Sequence, residues 1–147
     1  MSGDFLVDTN ILVHAYDRSE PTKQIQARNV LDGLATRSMG VLSTQILAEF
    51  YTVVTRKLAK PLTPQEAYRE LELLLRGWQT VDITRRIVLE AAAGAARYQL
   101  PFWDAQIWAT AKSNGIPSVL SEDFQHRRTI EGVEFFNPFE ADPFQEG

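Results

Sequence analysis

Short apolar runs alternate with longer amphipathic segments along this chain. Each run is bounded by polar or turn-forming residues, which is typical of strands buried on both faces of a sheet. We predict five such strands, over residues 5–7, 40–43, 80–83, 116–120 and 133–136. Because helix-like segments separate them, the pattern favours an α/β fold with a mainly parallel sheet.

Between the runs, apolar positions recur every three or four residues, as on one face of a helix. The clearest helix start is Thr63-Pro64-Gln65-Glu66, a capping box with proline at the first helical position. We predict a short helix after Asp8 and longer ones over 21–37, from 43 or 44 to the break at Lys60-Pro61, from 64 to about 77, from 84 through 95, and over 104–113. Asn114-Gly115 ends the last of these.

One predicted helix carries an unbroken run of small residues, Ala91-Ala92-Ala93-Gly94-Ala95-Ala96. A helix surface without large side chains lets another backbone approach closely. The sequence leaves two partners open for this surface, the sheet of the same chain and a second subunit.

Composition narrows the class of protein. The chain has 147 residues, of which 44% are hydrophobic and 23% charged, which is enough for one domain with its own core. There is no cysteine, which excludes disulfides, thiolate zinc sites and cysteine nucleophiles, and two histidines exclude a histidine-rich metal site. No apolar run approaches the roughly 20 residues that cross a bilayer, and the start lacks a basic region typical of a secretory signal. We therefore expect a cytoplasmic protein without a membrane partner.

Net charge alone does not indicate a nucleic-acid partner. Fifteen basic residues face 19 acidic ones, giving −4. We expect one domain over residues 1–137 followed by an acidic tail over 138–147, and the tail carries Glu140, Asp142 and Glu146. Without those three acids the balance is 15 against 16, and four further acids neutralised by a metal ion would make the rest of the chain basic.

Candidate chemistry rests on four carboxylates in unusual positions. Asp8 and Asp123 each follow a predicted strand, Asp104 opens a predicted helix, and Glu49 lies in mid-helix with the apolar Ile46 and Val53 on its face. Each has an ordinary alternative: Asp8 and Asp104 as helix caps, Asp123 as a loop acid, Glu49 as a residue that reaches solvent or a salt bridge. The motifs of phosphate-binding loops, dinucleotide folds and serine nucleophiles are absent from the sequence.

Ligands in open α/β sheets bind beyond the carboxyl ends of the strands, where Asp8 and Asp123 are predicted to lie. Two carboxylates about 4 Å apart repel by about 4 kcal/mol at an effective dielectric constant near 20. If the four acids converge, either their pKa values rise or a cation binds. Oxygen ligands suit Mg²⁺ or Mn²⁺, and such ions promote in-line attack of water on phosphate. The constellation thus indicates metal-assisted phosphodiester hydrolysis.

These segments, taken in order, resemble the PIN-domain nucleases. The resemblance is carried by Phe5-Leu6-Val7-Asp8-Thr9-Asn10-Ile11-Leu12-Val13, by Glu49, by Phe102-Trp103-Asp104-Ala105, by Leu120-Ser121-Glu122-Asp123-Phe124 and by the closing Asn137-Pro138-Phe139. The chain looks most like the VapC-type toxins of type II toxin–antitoxin pairs. The resemblance implies a three-layer α/β sandwich with sheet order 3-2-1-4-5, Mg²⁺- or Mn²⁺-dependent cleavage of transfer or ribosomal RNA by metal-activated water, a cognate antitoxin partner and a homodimer.

The resemblance to the PIN-domain nucleases implies which residues form the site. Asp8, Glu49, Asp104 and Asp123 would be the catalytic and metal-binding carboxylates. Thr9, Asn10 and Ser121 would orient those carboxylates from behind. Glu122 adjoins Asp123, and we favour Asp123 as the one that reaches the metal. The sequence departs from its relatives after His126, where Arg127 stands in place of a frequent glycine, and we assign His126 no catalytic role.

Three alternatives remain at this stage. A PIN nuclease of RNA processing or DNA repair would keep the fold without toxicity, and the absence of an extra domain disfavours it. An inactive binding module, in which the acids only cap helices, would not respond to Mn²⁺. A phosphatase of the haloacid-dehalogenase type would need an aspartate where Asn10 stands.

Overall fold

A computed structural model describes residues 4–145 as a six-stranded sheet covered by helices on both faces. The strands are β1 (Phe5–Val7), β2 (Gly40–Ser43), β3 (Gln79–Val81), β4 (Ser118–Leu120), β5 (Thr129–Ile130) and β6 (Val133–Phe136). The helices are α1 (Thr9–His14), α2 (Pro21–Arg37), α3 (Thr44–Arg56), α4 (Pro64–Gly77), α5 (Arg85–Tyr98) and α6 (Phe102–Ser113). The α/β class is confirmed.

The sheet has the order β3-β2-β1-β4-β6-β5, and all neighbouring strands are parallel except β5 and β6. The predicted order 3-2-1-4-5 is confirmed, with the fifth predicted strand appearing as β6 beside β4. The sequence analysis missed β5, which has only two residues. A tight turn at Glu131 and Gly132 connects β5 to β6, and the φ angles of these two residues, 48° and 84°, suit a type I′ hairpin.

Several element ends differ from the prediction by a few residues. Helix α6 begins at Phe102 rather than 104, because Pro101 occupies its N-cap position. Asp104 therefore lies in the first turn of α6 and does not cap it. Helix α3 ends at Arg56 instead of near Lys60, and β3 and β4 are shorter than predicted. The capping box predicted at Thr63 and Glu66 is present at the start of α4.

The small-residue run in α5 packs against α6. Ala91 and Gly94 are buried, and a Cβ atom added to Gly94 would lie 2.2 Å from the ring of Trp108, which is 1% exposed. The close approach left open by the sequence is therefore made to a helix of the same chain, not to the sheet. Ala92, Ala93 and Ala96 on the other side of α5 are exposed, so a second subunit at that side remains a prediction.

The segment after β6 lies against the domain. Phe139 and Phe144 pack on the core, the rings of Phe144 and Phe5 meet edge to face at 6.4 Å, and the Arg37 guanidinium stacks 4.1 Å above the Phe144 ring. The last two residues of the predicted tail, 146 and 147, lie outside the described residues. Within residues 4–145, none of the helices has the length and apolar character needed to traverse a bilayer.

Candidate active site

A cleft of about 590 Å³ opens at the carboxyl ends of β1 and β4. Parallel strands present their carboxyl ends at one edge of a sheet, so residues that follow β1 and β4 meet there. All four predicted carboxylates line this cleft: Asp8, Glu49, Asp104 and Asp123. They come from the junction of β1 and α1, from α3, from α6 and from the loop after β4, so only the tertiary fold brings them together.

Asp8 lies deepest, at 4% exposure, and caps α1. Its Oδ1 accepts a hydrogen bond of 2.7 Å from the backbone N of Thr9, and its Oδ2 accepts one of 2.7 Å from Ser121 Oγ. Burial raises the pKa of Asp8 to about 7, with smaller contributions from the charges of Asp123 and Glu49, although the two hydrogen bonds oppose the increase. The capping alternative is thus correct for Asp8, and the same carboxylate also faces the cleft.

Asn10 ties the Asp123 loop to α1. Its Nδ2 donates to Asp123 Oδ2 at 2.9 Å and to Ser121 Oγ at 3.2 Å. The backbone N of Asp123 in turn donates to Ser121 Oγ at 3.1 Å. A single hydroxyl and a single amide therefore fix both aspartates of the β1 and β4 ends relative to each other.

Glu49 and Asp104 form the opposite side of the cleft. Thr9 Oγ1 donates to Glu49 Oε1 at 2.8 Å, so all three predicted orienting residues, Thr9, Asn10 and Ser121, contact a carboxylate of the cluster. The pKa of Asp104 is raised, first by burial and then by the charges of Asp123 and Glu49. Glu49 is half-buried and bonds a hydroxyl rather than a basic side chain.

Glu122 also lines the cleft, but its carboxylate is paired with basic side chains. Its Oε1 lies 2.6 Å from His14 Nε2, and its Oε2 accepts a hydrogen bond of 2.7 Å from Lys23 Nζ. Burial alone would raise the pKa of Glu122, but the contacts with Lys23 and His14 outweigh it and hold the pKa below its usual range. Because both oxygens are engaged, the arrangement favours Asp123 as the carboxylate available to a cation.

The donor set suits a hard divalent cation. Four carboxylates line one open cleft, and the pKa values of Asp8 and Asp104 are raised first by burial and second by the neighbouring negative charges. Within residues 4–145, the group of three ligand atoms that lie within 4.8 Å of one another is His14, Asp17 and Glu20, which the sequence analysis did not single out. The four predicted carboxylates line the cleft without three of them lying that close together.

Sequence reasoning missed two further residues that line the cleft, His14 and Lys57. A positional signal for both was present in the sequence. His14 follows Asn10 by four residues on α1, and Lys57, the residue that directly follows α3, lies eight residues after Glu49, so each is near the helix face of a site residue. Trp103, which directly precedes Asp104, lines the cleft as well.

The backbone conformation at Arg127 accounts for the glycine that relatives often have at this position. Its φ angle is 67°, in the left-handed region that glycine adopts most readily. The neighbouring His126 accepts a hydrogen bond at Nδ1 from the backbone N of Asn137 and packs edge-on against Phe136. His126 therefore stabilises the connection after β6, and it is not among the residues lining the acidic cleft.

We predict that Ser121→Ala raises the pKa of Asp8 further in the metal-free protein. The lost hydrogen bond favours the ionised carboxylate, and a bond of about 1–1.5 kcal/mol corresponds to about one pH unit. Carbon-13 NMR titration of the Asp8 carboxyl would measure the change. Thr110→Ala, which removes a buried hydroxyl from the far part of α6, is the control and should leave the Asp8 titration in place. An unchanged pKa in Ser121→Ala would show that the hydroxyl does not act on Asp8.

Comparison with known proteins identifies the family. The model of the PIN domain matches residues 5–131. The chain belongs to the PIN domain family. This match spans all four carboxylates and the three residues behind them, and no curated protein matches the chain in sequence.

Solved structures support the same PIN fold. A toxin–antitoxin complex from Klebsiella pneumoniae is 21% identical, with 90% of this chain and 96% of that chain covered and a TM-score of 0.67. A DNA-bound VapBC complex from Salmonella typhimurium is 18% identical, with 92% and 98% covered and a TM-score of 0.67. A VapC toxin from Mycobacterium tuberculosis, described as cleaving the sarcin-ricin loop, is 16% identical, with 78% and 86% covered and a TM-score of 0.64. At these identities the likeness establishes the fold.

Proposed function

We propose that this PIN domain is a Mg²⁺- or Mn²⁺-dependent endoribonuclease and the toxin of a type II toxin–antitoxin pair. The observation that carries the proposal is the buried Asp8, whose pKa is raised to about 7 in a cleft that also holds Glu49, Asp104 and Asp123. A buried carboxylate facing like charges is costly without a cation. The membership of the PIN family supports a nuclease rather than the inactive module or the phosphatase.

The four carboxylates would hold the cation, and Thr9, Asn10 and Ser121 would keep them in place. When bound, the ion supplies positive charge for the phosphate and lowers the pKa of water that attacks it. The chain's own contribution is positioning: the hydrogen bonds from Ser121 to Asp8 and from Asn10 to Asp123 leave these carboxylates little freedom to reorient. Lys57, at the edge of the cleft, is placed to contact a phosphate of the RNA backbone.

We propose transfer or ribosomal RNA as the substrate and a small antitoxin as the protein partner. The similar structures include toxin–antitoxin complexes and a toxin described as cleaving an RNA loop, which supports both choices. An antitoxin segment that places an arginine among the carboxylates would compete with the cation for the same charges. We further propose a homodimer, for which the exposed side of α5 is one candidate surface.

Purified protein incubated with total RNA is expected to produce a few discrete cuts in Mg²⁺ or Mn²⁺ and none in EDTA. The reason is that the carboxylates need a cation before they tolerate a phosphate close by. Sequencing of the new RNA ends would locate the cuts. Single-stranded and duplex DNA in parallel reactions test the alternative of a DNA repair nuclease.

Control variants test whether the RNA cuts depend on the carboxylates of the cleft. Asp104→Asn should abolish the cuts, whereas Asp82→Asn, at an exposed position outside the cleft, should leave them unchanged. Cuts that persist in EDTA and in Asp104→Asn would contradict the metal-dependent mechanism. Absence of cuts together with no shift of the melting temperature by Mn²⁺ would favour the inactive binding module.

A further inference from the structure

The three tryptophans of this chain have three different environments. Trp108 is buried in the core beside α5, and Trp78 is half-buried against Gly40. Trp103 is 62% exposed and lines the acidic cleft next to Asp104. None of the other large exposed hydrophobic side chains found within residues 4–145 lines this cleft.

The position of Trp103 is fixed, although its side chain is exposed. It lies in the first turn of α6, and its backbone oxygen accepts a hydrogen bond of 3.2 Å from Gln45 Nε2. Gln45 is itself buried and held by Gln106 at 2.9 Å, so the anchor of this turn is part of the core. The indole meets the Phe102 ring edge to face at 5.2 Å and 78°. A rigid aromatic surface presented to solvent loses little entropy when it binds a flat partner.

The cleft combines two kinds of wall. Its lining includes the four carboxylates, the apolar side chains of Trp103, Ile107 and Val53, and the basic Lys57. A nucleotide has the matching arrangement, because its anionic phosphate and its flat base are joined through one sugar. A phosphate held beside the carboxylates by a cation that neutralises them would therefore place an adjoining base within reach of Trp103.

We propose that Trp103 is a stacking platform for one unpaired base beside the scissile phosphate, so that the RNA must be single-stranded or looped at that nucleotide. This inference rests on the proposed nuclease function and specifies its substrate. Bases inside a duplex are stacked on their neighbours and cannot lie on a protein ring. Stacking on an aromatic side chain tolerates any base, so Trp103 selects an unpaired structure rather than a particular base.

The test couples a change in the protein to a change in the RNA. The probe is a fluorescein-labelled fragment of about 12 nucleotides that spans a cut found in total RNA, together with versions that lack the base at one position each. Binding is measured by fluorescence anisotropy in the Asp8→Asn background, where bound RNA stays intact, with and without Trp103→Ala. Tyr68→Ala is the matched control, because Tyr68 is an aromatic residue of 63% exposure on α4, outside the cleft.

Trp103→Ala is expected to weaken binding of the intact fragment about tenfold, and loss of one particular base should weaken it by a similar factor. The two changes together should cost no more than either alone, because both remove the same contact. Trp103→Phe should retain most of the affinity, Tyr68→Ala should bind as the parent does, and a blunt duplex of the same sequence should bind equally to both proteins.

Two results would overturn the stacking role. One is a Trp103→Ala penalty that is the same on every base-lacking RNA, which would indicate a structural effect. The other is unchanged RNA binding combined with weakened binding of the antitoxin, which would assign Trp103 to a protein interface. Either result, obtained with an RNA that the wild type cleaves, leaves the nuclease proposal intact, whereas absence of any cleaved RNA contradicts the nuclease proposal itself.

Discussion

Asp8→Asn is expected to abolish metal-dependent RNA cleavage and, in the metal-free protein, to increase the free energy of unfolding at pH 8. Both effects have one cause. The Asp8 carboxylate is buried at 4% exposure beside other acids, which is unfavourable for folding and favourable for holding a cation. Asparagine keeps the shape of the side chain and removes the charge. The substitution should therefore stabilise the folded state and weaken cation binding.

The direction of this change in the free energy of unfolding, and the pH range in which it occurs, follow from the pKa of Asp8. It is about 7 in the folded protein, against about 3.9 in an unfolded chain, so the folded state binds the proton more tightly. Between pH 4 and pH 7 the folded state therefore holds more protons, and stability falls as pH rises through this range. The stabilisation by Asp8→Asn should be absent near pH 4 and reach about 2–4 kcal/mol above pH 7, since one unit corresponds to about 1.4 kcal/mol.

Urea denaturation at pH 4.5, 6 and 8 in EDTA would measure this difference. Asp32→Asn, on the exposed surface of α2, is the control and should change the free energy of unfolding by less than about 0.5 kcal/mol at every pH. Added Mn²⁺ should then stabilise the wild type and have little effect on Asp8→Asn. A variant that cleaves RNA normally, or that is less stable than wild type at pH 8, would show that Asp8 does not have the role proposed here.

Gly94→Ala should lower the free energy of unfolding by about 2–4 kcal/mol, the usual cost of severe overpacking offset in part by better helix propensity. The added methyl group would lie 2.2 Å from the Trp108 ring, far inside contact distance. The ring cannot move aside easily, because it is fully buried and its Nε1 donates to the backbone oxygen of Ile130 at 3.1 Å. Thermal and urea denaturation would report the loss.

Gly77→Ala provides the matched comparison. Gly77 is also helical, at the end of α4, but a Cβ atom added there meets nothing within 4 Å. Alanine should therefore stabilise the protein slightly, by up to about 1 kcal/mol, because it lowers the conformational entropy of the unfolded chain and has a higher helix propensity than glycine. If both substitutions stabilise the protein, the close packing of α5 on α6 is not as tight as the structure indicates.

Local sequence signals determined most of the secondary structure of this PIN domain. The bounds of α2, β2 and β6 agree with the prediction, and the capping box predicted at Thr63 is present. These features depend on residues within one or two turns of each other, so periodicity and capping chemistry suffice. The two-residue strand β5 was not predicted, because its pairing with β6 depends on a turn rather than on an apolar run.

The positions of the four carboxylates, at the ends of predicted elements or on an apolar helix face, singled them out in the sequence, and the resemblance to the PIN-domain family implied their three orienting neighbours. Which of Asp123 and Glu122 is paired with basic side chains, how strongly burial raises the pKa of Asp8, and which tryptophan is buried depend on segments far apart in the chain. Lys23 reaches Glu122 from α2, and Gly94 of α5 packs against Trp108. Burial and charge at a site are sums over neighbours far apart in the chain, and local pattern carries no information on those sums.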